Sequence, residues 1–255
     1  MTQVSPLYEG KAKIIYATAD PDILLAEFKD EATAFNAQKR GSIQNKGVMN
    51  CAIASRLFQY LAAQGIPNHF IAQVAPQRMH IRRVEIIPLE VVVRNRAAGS
   101  LCRQTGLPLG LELNPPLVEF YLKNDALGDP LLTGDRLRLL QIATDEEVAQ
   151  MTQMALAVNT HLSRFFAECG ITLVDFKLEF GRSRSGEILL ADEISPDSCR
   201  LWNQEESDPK KRILDKDRFR QDLGAIEEAY ALVMQRVLAH STDCSQKPSA
   251  ALGEQ

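Results

Sequence analysis

Apolar and polar residues alternate most cleanly after Ile171. Leu173, Asp175, Lys177 and Glu179 are expected on one face of a strand, and Val174, Phe176, Leu178 and Phe180 on the other. One face reads as core, the other as chemistry. The polar turn GRSRSGE follows, and then the run EILLADEIS, apolar until Asp192 and Glu193. With Ser185-Gly186 as the centre of a two-residue hairpin turn, Glu179 faces Asp192 directly.

The same patterning organises the rest of the chain. LYEGKAKIIYATADPDILLAEFKDEATAF reads as three short strands with turns at Glu9-Gly10 and Asp20-Pro21-Asp22, and Lys11 and Lys13 share a strand face. The polar loop AQKRGSIQNKG precedes a helix over 48–64, with Ile53, Leu57, Phe58 and Leu61 apolar and Gly65 as its stop. Two strands follow, HFIAQVA and RRVEIIPLEVVVRNR. Pro88 inside the second marks an edge, a bulge or a change of lobe, and the hinge is expected there. Ser100 starts a short helix, Asn114-Pro115-Pro116 marks a loop, and LVEFYLKNDALGDPLL runs from a strand into a loop with Lys123, Asp125 and Asp129. Thr144 to Glu147 is a capping-box signature for a helix reaching Gly170, with Met151, Met154, Val158, Leu162 and Phe165 on its apolar side. A charged connection begins at Asp208-Pro209, and DRFRQDLGAIEEAYALVMQRVLAH reads as one long last helix. The expected division is a β-rich lobe at 1–87, an α+β lobe at 88–240 and a disordered tail at 241–255. No internal repeats are evident.

Composition narrows the function classes. The 255 residues are 45% hydrophobic and 24% charged, ordinary for a globular protein, and no apolar run is long enough to span a bilayer. The opening MTQVSPLYEGKAK has no apolar signal core, so a cytoplasmic address is expected. A net charge of −4 without a sustained basic block argues against nucleic-acid binding. The five cysteines form no CxxC pair, and the four histidines show no metal-ligand spacing, so neither set is assigned chemistry.

Two carboxylates on neighbouring strands suit a hard cation such as Mg²⁺, which takes one or two carboxylates and fills its remaining positions with water and phosphate oxygens. The alternative is a solvated hairpin face with incidental ion pairs. Lys11 and Lys13 beneath a glycine turn can lie over a polyphosphate, or simply protect an edge strand; GxxxxGK[ST] is absent. Arg94 and Arg96, ahead of a helix start at Ser100, suit an anionic ligand, or are exposed arginines at a strand end.

EGKAK at 9–13, VVVRNRAAGSL at 91–101, LKNDALGDP at 122–130, LVDFKLEFG at 173–181 and ADEISPDSCRLW at 191–202 together resemble the phosphoribosylaminoimidazole-succinocarboxamide synthase (SAICAR synthetase) family of purine biosynthesis. The resemblance implies a two-lobed α+β fold, laid out like protein kinases and ATP-grasp enzymes, with ATP between a β-rich N-terminal lobe and a larger C-terminal lobe. It implies ligation of L-aspartate to a carboxylated aminoimidazole ribonucleotide through an acyl phosphate, and a homodimer with small-molecule substrates. It further implies Glu179 and Asp192 as Mg²⁺ ligands, and Gly10, Lys11, Ala12, Lys13 and Lys123 as nucleotide contacts. Arg94, Ser100 and Arg200 fall to the ribonucleotide phosphate. Lys177 falls to the reacting carboxylate or phosphoryl group, and Asp175 to orienting Lys177 or the amine. Asn36 and Arg218 are further substrate contacts, Arg218 with a helix-capping role as its alternative. A small-molecule kinase would use the same metal hairpin and lysines but stop after phosphoryl transfer. A non-catalytic nucleotide-binding regulator would not need both carboxylates and Lys177.

Overall fold

The computed structural model describes residues 6–34 and 38–240, so Asn36 and the tail at 241–255, with the disorder expected of it, lie outside the described residues. The two turns of the opening segment separate β1 (Pro6–Glu9), β2 (Lys13–Ala17) and β3 (Ile23–Phe28). A fourth strand, β4 (Glu31–Ala34), pairs with β5 (Lys39–Ser42) as a separate ribbon, where the sequence suggested only the end of a strand and a polar loop. Its apolar pattern is short: Ala32 and Ala34 pack with Ile43 and Phe219. Helix α1 (Lys46–Ala63) starts two residues ahead of the expected position, with the Asp30 carboxylate accepting from the N–H groups of Asn45 (3.2 Å) and Gly47 (2.8 Å). That placement makes Lys46 the first helical residue and buries it.

Next come β6 (Phe70–Ala75), β7 (Arg78–Arg82) and β8 (Glu85–Arg96). Strand β7 was not anticipated, although Met79 and Ile81 alternate into the core. The first sheet is antiparallel in the order β1-β2-β3-β7-β6. Strand β8 passes through Pro88 without a break, and the proline sits where the pairing with the later strand jumps from Glu179↔Glu90 to Gly181↔Ile86. The irregular ladder fits the bulge expected at Pro88, and pairing with two neighbours means that the strand is not an edge. After α2 (Ser100–Thr105), β9 (Glu112–Leu122) runs through Asn114-Pro115-Pro116, which the sequence suggested was a loop. The prolines fall between the pairs Arg94↔Leu117 and Arg96↔Glu112, where the ladder is already irregular and a missing N–H costs little.

A 3₁₀ turn (Asp125–Leu127), β10 (Leu131–Leu132), α3 (Gly134–Leu140) and α4 (Asp145–Glu168) follow. The capping box forms as expected: Thr144 Oγ1 accepts from Glu147 N–H, and Glu147 accepts from Thr144 N–H. The chain ends in β11 (Ile171–Arg182), β12 (Ile188–Ala191), β13 (Cys199–Asn203), α5 (Asp217–Arg220) and α6 (Ile226–Ala239). The single long last helix is therefore two helices. Asp222, Gly224 and Ala225 all have positive φ, and the left-handed backbone ends the first helix before the second begins.

The second sheet is also antiparallel, in the order β10-β9-β8-β11-β12, with β13 on the edge of β11 not used by β8. Two local expectations for β11 need correction. The β11–β12 register is Glu179↔Ala191 and Arg182↔Ile188, so Glu179 does not face Asp192. A five-residue loop, closed by Ser183 N–H to Glu187 O and Gly186 N–H to Ser183 O, replaces the two-residue turn and moves the register by one. A bulge between Leu173 and Asp175 turns Leu173 into the main core and Val174 against Ala98, Trp202 and Ile213. The main core is continuous: it runs from Ala26, Met79 and Ile81 through α1 to Val91, Val93, Phe176 and Phe180, with α4 on the second sheet. The fold is thus a mixed α+β arrangement of strand-rich sheets and helices.

Candidate active site

Strands β8 and β11 set the polar side of the second sheet. Their register places Asp175 opposite Arg94 and Glu179 opposite Glu90, with Lys177 between them along the strand. The Lys177 ammonium donates to Glu179 (2.7 Å) and Glu90 (3.0 Å) and stands 3.7 Å from Asp192. Glu179 also accepts from Lys123, and Lys13 donates to Asp192 (2.5 Å) and Glu193 (3.0 Å). Asp192 reaches this position because the chain leaves β12 through a left-handed residue, with φ of 60° at Asp192 itself. Aspartate tolerates that conformation better than most residues, at a local strain of about 1–3 kcal/mol.

Four carboxylates are thus interleaved with three ammonium groups. Burial opposes charge on Lys177, but Glu179, Asp192 and Glu90 outweigh it and hold its pKa well above the ordinary lysine value. Lys13 is raised likewise, burial being outweighed by Asp192 and Glu193. Burial also works against ionised Asp192, yet Lys13, Lys177 and Lys123 keep its pKa below the usual carboxylate range. The nearby His69 is buried and neutral, its pKa pushed down to about 3 chiefly by burial and further by Lys13.

A second cluster is built around Arg94, only 3% exposed. Its guanidinium donates to Glu119 (2.6 Å), Asp175 (2.9 Å), Ser100 Oγ (3.0 Å) and Tyr121 Oη (3.1 Å). Arg200 donates to the same Asp175 oxygen (2.8 Å) and to Asp217 (2.8 Å). Asp175 therefore joins two guanidinium groups and does not orient Lys177, which takes its partners from Glu90 and Glu179. Gly99 allows this packing: a Cβ there would lie 2.3 Å from Arg200 Nη2, and its φ of 57° already favours glycine.

Arg218 is absent from the cluster. Its guanidinium is spent on the carbonyls of Gly224 (2.7 Å), Ile213 (3.0 Å), Leu223, Lys210 and Lys211, so it ties down the chain on either side of α5 and contacts no site residue. These bonds give Arg218 a backbone-fixing place outside both cavities described below. Arg218→Met should lower stability by about 2–3 kcal/mol, the cost of stranding buried carbonyls, with substrate KM values unchanged. Denaturant midpoints and initial rates measure the two effects separately.

Two cavities adjoin along Lys177. The larger, about 620 Å³, is lined by Gly10, Lys11, Ala12, Lys13, Lys123, Glu179 and Asp192, with Ile15, Leu24, Ala26, Ile81 and Ile86 forming an apolar wall. The smaller, about 320 Å³, carries Arg94, Asp175, Lys177 and Arg200. The structure brings the expected residues other than Arg218 and the undescribed Asn36 to two adjoining places, Ser100 through its bond to Arg94. The smaller cavity is lined by six cationic side chains against three carboxylates, an excess suited to anionic ligands. Lys11, Glu90, Lys177, Asp197, Ser198 and Lys216 line both.

Sequence reading missed Glu90, Asp197, Lys216 and Arg220. Lys216 lay in the charged connection and Arg220 inside what read as one helix, and Glu90 belongs to a strand whose alternation signals only that it faces away from Leu89 and Val91. Among the described residues no group of three or more His, Cys, Asp or Glu side chains is arranged to hold a metal ion. Glu179 and Asp192 are two hard oxygen donors that share the Lys177 ammonium and pair also with Lys123 and Lys13, a donor set that suits an ion completing its shell with ligand phosphates and water.

Comparison with known proteins identifies the family. The family model described as SAICAR synthetase matches residues 6–237. A phosphoribosylaminoimidazole-succinocarboxamide synthase from Thermosynechococcus vestitus is 91% identical over 241 residues, 94% of this chain and 99% of that one. Its counterpart from Acaryochloris marina is 66% identical over 91% of this chain and 95% of its own. A crystal structure of phosphoribosylaminoimidazole-succinocarboxamide synthase from Ehrlichia chaffeensis superposes with a TM-score of 0.88 at 41% identity, covering 93% of this chain and 100% of that one. A SAICAR synthetase in complex with ADP does so at 0.86 and 44% identity, covering 91% and 97%. No helix among the described residues is long and apolar enough to cross a membrane.

Proposed function

The chain belongs to the SAICAR synthetase family and carries out the ATP-dependent ligation of aspartate in purine biosynthesis, and from that premise we propose how its two adjoining cavities divide the reaction. ATP occupies the larger cavity, its base against the apolar wall and its phosphates toward Lys11, Lys13 and Lys123. The carboxylated aminoimidazole ribonucleotide occupies the smaller, cationic cavity, its phosphate toward Arg94, Ser100 and Arg200. The observation that carries this reading is the position of Lys177, which lines both cavities and has Glu179 and Asp192 on one side and the Asp175-linked arginines on the other. The lobes 1–87 and 88–240 then meet across the larger cavity, which takes lining from β2, β3 and β7 as well as from β11.

A carboxylate resists attack by an amine because its oxygen is a poor leaving group. In the proposed mechanism the carboxylate oxygen of the ribonucleotide attacks the γ-phosphorus, ADP departs, and the aspartate amine then displaces phosphate from the acyl phosphate. Lys177, held protonated by its three carboxylates, steadies the negative charge that passes between the two substrates. Positioning accounts for the rest, since both reacting groups are fixed by charge at their far ends. Glu179 and Asp192 would hold Mg²⁺, which when bound neutralises phosphate charge.

Equilibrium binding tests the division. Lys13→Met should weaken ATP binding about tenfold or more while leaving the affinity for the ribonucleotide unchanged; the reverse pattern would exchange the two cavities.

A further inference from the structure

The aspartate amine arrives protonated, and an ammonium has no lone pair with which to attack. Among the described residues, five titratable side chains line the seam between the cavities: Lys11, Glu90, Lys177, Asp197 and Lys216. Four are already committed. Lys177 is locked by three carboxylates, and Glu90 accepts from it. Lys11 is paired with Asp125 on the exposed side. Asp197 accepts Tyr230 Oη–H on one oxygen (2.7 Å) and the ammonium of Lys46 on the other (2.8 Å).

Lys216 differs from all of these. Its side chain is 14% exposed, and its ammonium nitrogen stands 3.6 Å from the Asp197 oxygen that Lys46 already occupies, making no hydrogen bond among the described residues. Its backbone is fixed on both sides: its N–H donates to Pro196 O (3.0 Å), and Asp215 accepts from the N–H groups of Leu201 and Asp217. We propose that Lys216 is the general base that takes a proton from the amine of L-aspartate, an inference that rests on the acyl-phosphate reading above. Its burial shifts the balance toward the neutral amine. Burial is the largest influence lowering its pKa, and Arg220 from α5 and Lys46 from α1 add to it. Asp197, held also by Tyr230 from α6, and Glu193 oppose without prevailing.

The step balances as follows. Neutral Lys216 Nζ removes one proton from the aspartate ammonium, and the freed lone pair forms the C–N bond at the acyl carbon. The C–O bond to phosphorus-bound oxygen breaks, and phosphate leaves with that electron pair. The second proton on nitrogen passes to the departing phosphate, giving the amide and hydrogen phosphate, and Lys216 returns its own proton to solvent at the cavity mouth.

Lys216→Arg is the discriminating variant, because arginine keeps the positive charge but does not deprotonate. Product formation with aspartate is compared with hydroxamate formation from hydroxylamine, a nucleophile already neutral near pH 7. The expected result is a 10²-fold or greater loss of kcat with aspartate, a nearly unchanged KM for aspartate, and continued hydroxamate formation. The acid limb of the wild-type kcat profile should also disappear. Lys216→Ala should regain succinocarboxamide formation when imidazole is added as an external base, an independent readout should the arginine variant fold poorly. Aspartate turnover within a few-fold of wild type in Lys216→Arg would overturn the proposal and leave Lys216 as an anion contact. Absence of hydroxamate with the wild-type enzyme would instead overturn the acyl phosphate itself.

Discussion

Glu179→Gln and Asp192→Asn should each slow turnover by about 10²–10³-fold, the scale seen when one charge-stabilising group is removed from a preorganised site. Each substitution keeps the side-chain shape but removes a negative charge from a cluster in which ammonium groups are paired on both sides. In Glu179→Gln, Lys123 and Lys177 lose their shared partner, so the effect reaches the phosphate contacts as well as the proposed metal. Asp192→Asn leaves the left-handed backbone undisturbed, since asparagine also accepts positive φ, and isolates the electrostatic effect. Steady-state rates across a range of Mg²⁺ concentrations, with thermal melts to verify folding, measure this. Near-wild-type kcat in both variants would remove these carboxylates from the reaction.

The largest effect on stability is expected at Arg94. Arg94→Ala leaves the largely buried Glu119 side chain without its cationic partner and the buried Asp175 with Arg200 alone, at a cost of about 3–5 kcal/mol. Arg94→Lys is the more informative change. It retains the charge but cannot reach four differently placed acceptors at once, because an ammonium lacks the planar fork. Its expected signature is a tenfold or larger rise in KM for the ribonucleotide, with KM for ATP unchanged. An unchanged ribonucleotide KM in a well-folded Arg94→Lys protein would confine Arg94 to a structural role.

Much of the site was legible in the sequence because strand alternation is a short-range property. Asp175, Lys177 and Glu179 share a face by spacing alone, and the capping box at Thr144 identifies a helix start from four residues. Departures came where one residue changes the count. The loop at 183–187 has an odd number of residues, and nothing in GRSRSGE distinguishes a five-residue closure from a two-residue turn at Ser185-Gly186. The bulge before Asp175 leaves no mark in the string ITLVD, since both Leu173 and Val174 are apolar and either could face the core. Arg218 and Arg220 are two residues apart in a charged stretch, and only the break at 221–225 sends the first to backbone carbonyls and the second to the cavity. Sequence patterning also gives no access to long-range pairing, so the Lys46–Asp197–Tyr230 link, drawn from three distant segments, was invisible.

Strand β11 is paired along both edges, by β8 on one side and by β13 and then β12 on the other. At about 3.3 Å per residue, Asp175 and Glu179 are held about 13 Å apart, with Lys177 midway. That makes the strand a gauge of fixed length against which two substrates are aligned. One residue added or removed between Asp175 and Glu179 would turn part of the set from the cavities into the core and shift both neighbouring ladders. Length variation among descendants of this sequence is therefore expected to collect in the exposed loop at 183–187, which carries no lining residue, while the five positions from 175 to 179 stay constant in number even where their identities drift.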